Sequence, residues 1–106
     1  MSNINPEWQF VALSVDIPAQ QLKEISVATK SICFLRKEDQ LYAFAAQCPH
    51  AGGRLCEGNI DPQGNIECPL HQYRFNPVNG YNTSGEGYKL MTYPVREEDG
   101  QVFVKY

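Results

Sequence analysis

The sequence lacks any apolar run approaching the roughly eighteen residues that a membrane-crossing helix needs, so no membrane span is expected. Its opening, Met1-Ser-Asn-Ile-Asn-Pro6, has neither the basic nor the apolar stretch of a secretory signal. A cytoplasmic protein is the expectation, with thiols kept reduced and no structural disulfides. Basic residues are in deficit: nine Lys and Arg against twelve Asp and Glu leave a net charge of −3. That balance speaks against a nucleic-acid partner, which asks for a basic face. Long helical periodicity, internal repeats and low-complexity tracts are also missing. So are a phosphate-cradling glycine loop and a Ser-His-Asp set, which leaves nothing to act as a catalytic apparatus.

What remains is enough for one folded domain. A chain of 106 residues with 42% hydrophobic content buries a modest core and is too apolar to stay disordered. Short strand-like runs alternate with turn signals. Trp8 to Leu13 reads as a first strand, and Gln20 to Val27 as a turn leading into a second. Ser31–Leu35 and Leu41–Ala45 flank the charged turn Arg36–Gln40 as a hairpin. Ile66–Cys68 is entered from the turn Asp61–Gly64, and Tyr73–Phe75 and Tyr81 bracket the turn cluster Asn76–Gly80. Lys89–Val95 and Gln101–Lys105 close the chain as a hairpin around Glu97–Gly100. The fold class expected is all-β. Residues 46–87 hold most of the glycines and prolines, which marks a loop-rich subdomain between base segments 1–45 and 88–106.

Chemistry concentrates in that segment. Cys48-Pro-His50 and Cys68-Pro-Leu-His71 use both histidines and two of the four cysteines. Two thiolates and two imidazoles from two short loops make a metal site the leading reading. Structural zinc takes Cys₂His₂ but usually draws its cysteines from one segment and its histidines from the other. Here each segment mixes them. A [2Fe–2S] cluster held by two cysteines on one iron and two histidines on the other fits the mixture better, since each loop offers one ligand to each iron. Cys33, inside an apolar run, reads as a small buried residue, and Cys56 as a packing residue rather than a fifth ligand.

Cys48-Pro-His-Ala-Gly-Gly53 together with Cys68-Pro-Leu-His-Gln-Tyr-Arg-Phe75 resembles the Rieske ferredoxin family, small soluble carriers that serve bacterial ring-hydroxylating oxygenases. Asn79-Gly80 resembles the family's turn after the cluster, and Thr92-Tyr-Pro-Val95 with Val102-Phe-Val104 its last two strands. The resemblance implies one Rieske domain over residues 1–106: a stack of small antiparallel sheets with the cluster-binding subdomain at one tip. It implies Cys48 and Cys68 on an inner iron and His50 and His71 on an outer, exposed one. It further implies a monomeric one-electron carrier between a flavin-type reductase and a terminal oxygenase. The small Rieske-like subunit of an NAD(P)H nitrite reductase is similar in size and in the Tyr-Pro-Val ending. A zinc-stabilised interaction module is the rival from a different class.

Departures from the family's better-known branch shape the expected properties. Rieske proteins of cytochrome bc complexes bridge their ligand loops with two more cysteines, where this chain has Gly53 and Leu70. Their serine and tyrosine donors to the cluster match Tyr73 and Phe75. Fewer hydrogen bonds to sulfur imply a potential toward the low end of the Rieske range, about −150 mV. Any loss of a ligand proton is expected only at alkaline pH, with a slope of about 59 mV per pH unit. Ser84-Gly-Glu-Gly87 stands where relatives carry a proline-bearing loop, which suggests a mobile cover. Pro49 and Pro69 are expected to stiffen the ligand loops, and Gly52 and Gly53 to permit close backbone approach. Arg54, Glu57, Gln72 and Arg74 are candidate rim contacts for a partner, with solvated surface charge as the default.

Overall fold

The computed structural model describes residues 8–50 and 52–106. The opening Met1–Pro6 therefore lies outside the described residues. Ten strands form three antiparallel sheets, and the only helical pieces among the described residues are two single 3₁₀ turns. No helix of these residues is long and apolar enough to cross a membrane.

The four-stranded sheet is the wall on which everything else rests. It is built from β2 (Leu22–Val27), β3 (Lys30–Lys37), β4 (Gln40–Ala45) and the short β8 (Thr92–Tyr93), in that order. β3 explains the unbroken apolar run in the sequence. Ile32 and Phe34 face one core with Ile17, Leu41, Ala43, Val102 and Val104, while Cys33 and Leu35 face another with Phe44, Leu55, Ile66 and Phe75. Side chains alternate along a strand, so a strand buried on both faces needs apolar residues at every position. The turn between β3 and β4 is tighter than the sequence suggests. Glu38 and Asp39 alone make it, both at positive φ (52° and 66°), as a two-residue hairpin turn of matching twist requires.

Behind one face lies the three-stranded sheet of β1 (Gln9–Leu13), β10 (Gln101–Val104) and β9 (Val95–Glu98). The run expected as one strand over Lys89–Val95 is divided at Pro94. Tyr93 pairs with Ala43 in the four-stranded sheet and Val95 with Val104 in the other, so the chain changes sheets at the residue that has no N–H to give a ladder. Arg36 clips the two sheets together: it donates to both carboxylate oxygens of Glu97 (2.7 and 3.1 Å) and to the Ile17 carbonyl (2.8 Å).

The other face carries the loop-rich segment. Its small sheet, β5 (Asn59–Ile60), β6 (Ile66–Glu67) and β7 (Arg74–Phe75), is entered from a turn in which Asp61 accepts N–H bonds from Gln63 and Asn65. One expectation is overturned here. Cys33 and Cys56 are joined by a disulfide, their Cα atoms 5.9 Å apart. The expectation of reduced thiols and no structural disulfide fails at this pair, although Cys33 is fully buried as expected. The pairing is not legible locally because the partners are 23 positions apart on different elements. The bond ties β3 to the 3₁₀ turn Leu55–Glu57. Next to it, Arg54 reaches Glu24 on β2, and the Leu55 N–H donates to the Ala46 carbonyl at 2.8 Å.

Candidate metal centre

The two loops that carry the paired Cys and His residues are one six-residue turn built twice. In the first, the Cys48 N–H donates to the Gly53 carbonyl (2.7 Å) and the Gly52 N–H to the Cys48 carbonyl (3.0 Å). In the second, the Cys68 N–H donates to the Tyr73 carbonyl (2.8 Å) and the Gln72 N–H to the Cys68 carbonyl (2.9 Å). Proline is second in each, and the fifth residue takes positive φ, 75° at Gly52 and 58° at Gln72. A third copy runs from Asn76 through Pro77 and Gly80 (φ 79°) to Tyr81, with no thiol or imidazole on it. Proline presets φ at the second position, and glycine relieves the fifth.

The turns sort the side chains by depth. Cys48 and Cys68 are 2% and 1% exposed, inside the core that includes Phe44, Leu55, Ile66, Phe75 and Leu90. His50 is half-buried and His71 exposed. The imidazoles face each other, Nδ1 to Nδ1, at 3.3 Å. Two nitrogens each about 2.1 Å from one tetrahedral ion would lie about 3.4 Å apart, so this pair has the spacing to share a metal. Among the described residues, no three Cys, His, Asp or Glu side chains gather tightly enough to hold a single ion. A mononuclear zinc would need all four. An outer imidazole pair over an inner thiol pair suits two metal ions instead.

Gly53 is where the loops meet. A Cβ on it would stand 2.8 Å from Cys68 Sγ and 3.1 Å from Leu70 Cβ, so the close approach expected at this glycine is real. Gly53 and Leu70, the positions bridged by cysteines in the cytochrome bc branch, here touch without a covalent link.

An aromatic and polar collar surrounds His50. The Tyr73 ring stacks on the imidazole with centroids 4.1 Å apart, and Tyr88 lies 5.4 Å away on another side. Desolvation raises the Tyr73 phenol above its ordinary pKa, and the Glu86 carboxylate adds to the rise. The turn over residues 82–87 is held by a set of hydrogen bonds. Asn82 Oδ1 accepts the N–H groups of Glu86 and Gly87, Asn82 Nδ2 donates to the Arg74 carbonyl at 2.9 Å, and the Arg74 N–H donates to Ser84 Oγ at 2.9 Å. Gly85 and Gly87 supply the positive φ values (92° and 88°) that this tight turn needs. Tyr88 carries no sequence signal that would have singled it out.

Three of the four candidate rim residues are committed elsewhere. Arg54 pairs with Glu24 and Glu57, and Arg74 with Glu67 (3.1 Å) and Asp61 (3.8 Å). Gln72 is exposed and serves the second turn with its backbone. Also exposed on the ligand loops are Pro49, Pro69, Leu70 and His71, with Tyr88 beside them.

Comparison with known proteins gives the family and the fold. The family model described as Rieske [2Fe-2S] domain matches residues 7–94. The ferredoxin component of the naphthalene 1,2-dioxygenase/salicylate 5-hydroxylase systems of a Ralstonia species is 33% identical over 92% of this chain and 94% of its own length. Among solved structures, the ferredoxin of carbazole 1,9a-dioxygenase from Nocardioides aromaticivorans superposes with a TM-score of 0.86 at 25% identity, over 92% of this chain and 96% of that one. A complex of reduced oxygenase and oxidised ferredoxin of carbazole 1,9a-dioxygenase gives 0.84 at 30% identity, over 95% and 94%.

Proposed function

The chain belongs to the Rieske [2Fe–2S] family, and from that premise we propose that Cys48 and Cys68 hold the inner iron of the cluster and His50 and His71 the outer one. The protein is an electron-transfer component rather than a catalyst, as its relatives are. We read residues 1–106 as one Rieske domain, with 46–87 the cluster-binding subdomain between base segments 1–45 and 88–106. The observation that supports the ligand set best is the facing Nδ1 pair in front of two thiols sunk in the core.

The [2Fe–2S] group supplies a one-electron couple, and histidine in place of two thiolates sets it at a higher potential than an all-cysteine cluster. The protein does the rest. Leu55, Ile66, Phe75 and Leu90 keep water from the thiols, while His50 and His71 carry the metal's electronic reach to the surface. The rim of Pro49, Pro69, Leu70 and Tyr88 around them is small and partly apolar, as a brief redox contact needs. Electrons would arrive from a flavin-type reductase and leave to a terminal oxygenase. The matched ferredoxin–oxygenase complex supports the second half of that route. The setting proposed is the cytoplasm.

The test is metal and sulfide analysis of freshly purified protein with low-temperature EPR after anaerobic reduction. Two irons and two acid-labile sulfides per chain are expected, with His50→Ala and His71→Ala each losing the reducible centre. A single redox-inert ion would overturn the reading. So would both variants keeping the visible spectrum and the reducible signal.

A further inference from the structure

The turn that ends at Tyr88 holds one carboxylate in place with hydrogen bonds from two of its own side chains. Glu86 Oε1 accepts from Asn82 Nδ2 (2.9 Å) and from Ser84 Oγ, while the Glu86 N–H is bound by Asn82 Oδ1. Asn82 and Ser84 are themselves anchored on the backbone of Arg74, whose neighbour Tyr73 stacks on His50. Two residues beyond Glu86, the Tyr88 ring closes on both His50 and Tyr73, at 5.4 and 5.9 Å. One end of the turn is therefore bonded to the strand next to Tyr73, and the other packs on His50 through Tyr88. The nearby cations face away: Arg74 is turned to Glu67 and Asp61, and Lys89 lies over the Tyr81 ring at 5.0 Å.

We propose that Glu86 is a tuning residue for the redox centre, a negative charge held on the turn that packs on His50 through Tyr88, and that it holds the reduction potential down. This rests on the ligand set proposed above. Reduction adds one electron, and hence one unit of negative charge, on the histidine side of the centre, and a like charge held nearby opposes it. A mobile surface carboxylate would spend little time close enough to matter and would be screened. This one is exposed as well, but it is restrained in position by Asn82 and Ser84. The same bonds keep it ionised: hydrogen bonds from Ser84 and then Asn82 hold Glu86 below its ordinary pKa. The turn thus has an electrostatic purpose that its two glycines alone do not suggest.

The experiment is protein-film voltammetry on the cluster-loaded protein, with the visible and EPR spectra of each variant recorded first. The potential should rise in the order wild type and Glu86→Asp, then Glu86→Gln, then Glu86→Lys, with the differences shrinking as salt is raised. Glu98→Gln makes the same charge change on β9, where Glu98 pairs with Arg96, and should leave the potential at the wild-type value. An intact spectrum with no ordering among the Glu86 variants overturns the proposal, as does an equal shift from Glu98→Gln. Absence of the cluster signal from wild type itself would strike the ligand reading instead, so the two failures are told apart.

Discussion

Removing the Cys33–Cys56 bond is the sharpest test of how the loop-rich segment is secured. The bond closes a loop with a separation of 23 residues, which on the chain-entropy model stabilises the fold by about 3.4 kcal/mol at 25 °C. That is a large share of the roughly 5–15 kcal/mol a domain of this size has in total. Cys33→Ala/Cys56→Ala should lower the urea midpoint by about 2 M if m is near 1.5 kcal/mol/M. Adding a strong reductant to the wild type should do the same. Thiol counting checks the premise independently. Denatured protein stripped of metal should label only at Cys48 and Cys68 without reductant and at all four cysteines with it. Four labelled thiols without reductant, or a midpoint unmoved in the double variant, would refute the reasoning.

Arg36→Met should cost about 1–2 kcal/mol by breaking the clip between the sheets, since the pair is partly exposed and its charge partly screened. The hydrogen bond from Arg36, with its charge behind it, holds Glu97 below the ordinary 4.5, so the pair's stabilisation is full above that value and is lost as pH falls through the lowered one. Glu97→Gln should therefore cost more at pH 7 than at pH 3, read as the difference in urea midpoint. Gly53→Ala places a Cβ 2.8 Å from Cys68 Sγ, and ligand positions tolerate only about 0.2 Å, so iron content should fall below wild type while the base stays folded by circular dichroism. At Gln72 (φ 58°), glycine should raise the thermal midpoint, worth up to about 1 kcal/mol, and valine should lower it.

The ligand motifs and the β character were legible because both are local: a cysteine two or three residues before a histidine, and turn chemistry every ten residues or so. The division at Pro94 was written in the residue itself, but only the partners of Tyr93 and Val95 show that the two halves join different sheets. What escaped was long-range. Cys33 looks like any buried residue of an apolar strand until the turn after the first ligand loop brings Cys56 onto it. Arg54 and Arg74 look like docking charges until Glu24 and Glu67 fold up beside them. Ser84-Gly-Glu-Gly87 suggested slackness because its glycines are visible in the sequence and its bonds to Arg74 are not.

The third, ligand-free copy of the turn, Asn76 to Tyr81, carries one more lesson. It adopts the shared geometry with nothing inorganic to grip, so proline, a left-handed fifth residue and two main-chain bonds suffice to shape it. The cysteine turns then need no metal to become themselves. Loss of the inorganic core should then leave these turns formed rather than unravelled, in contrast to a zinc finger, which folds around its ion.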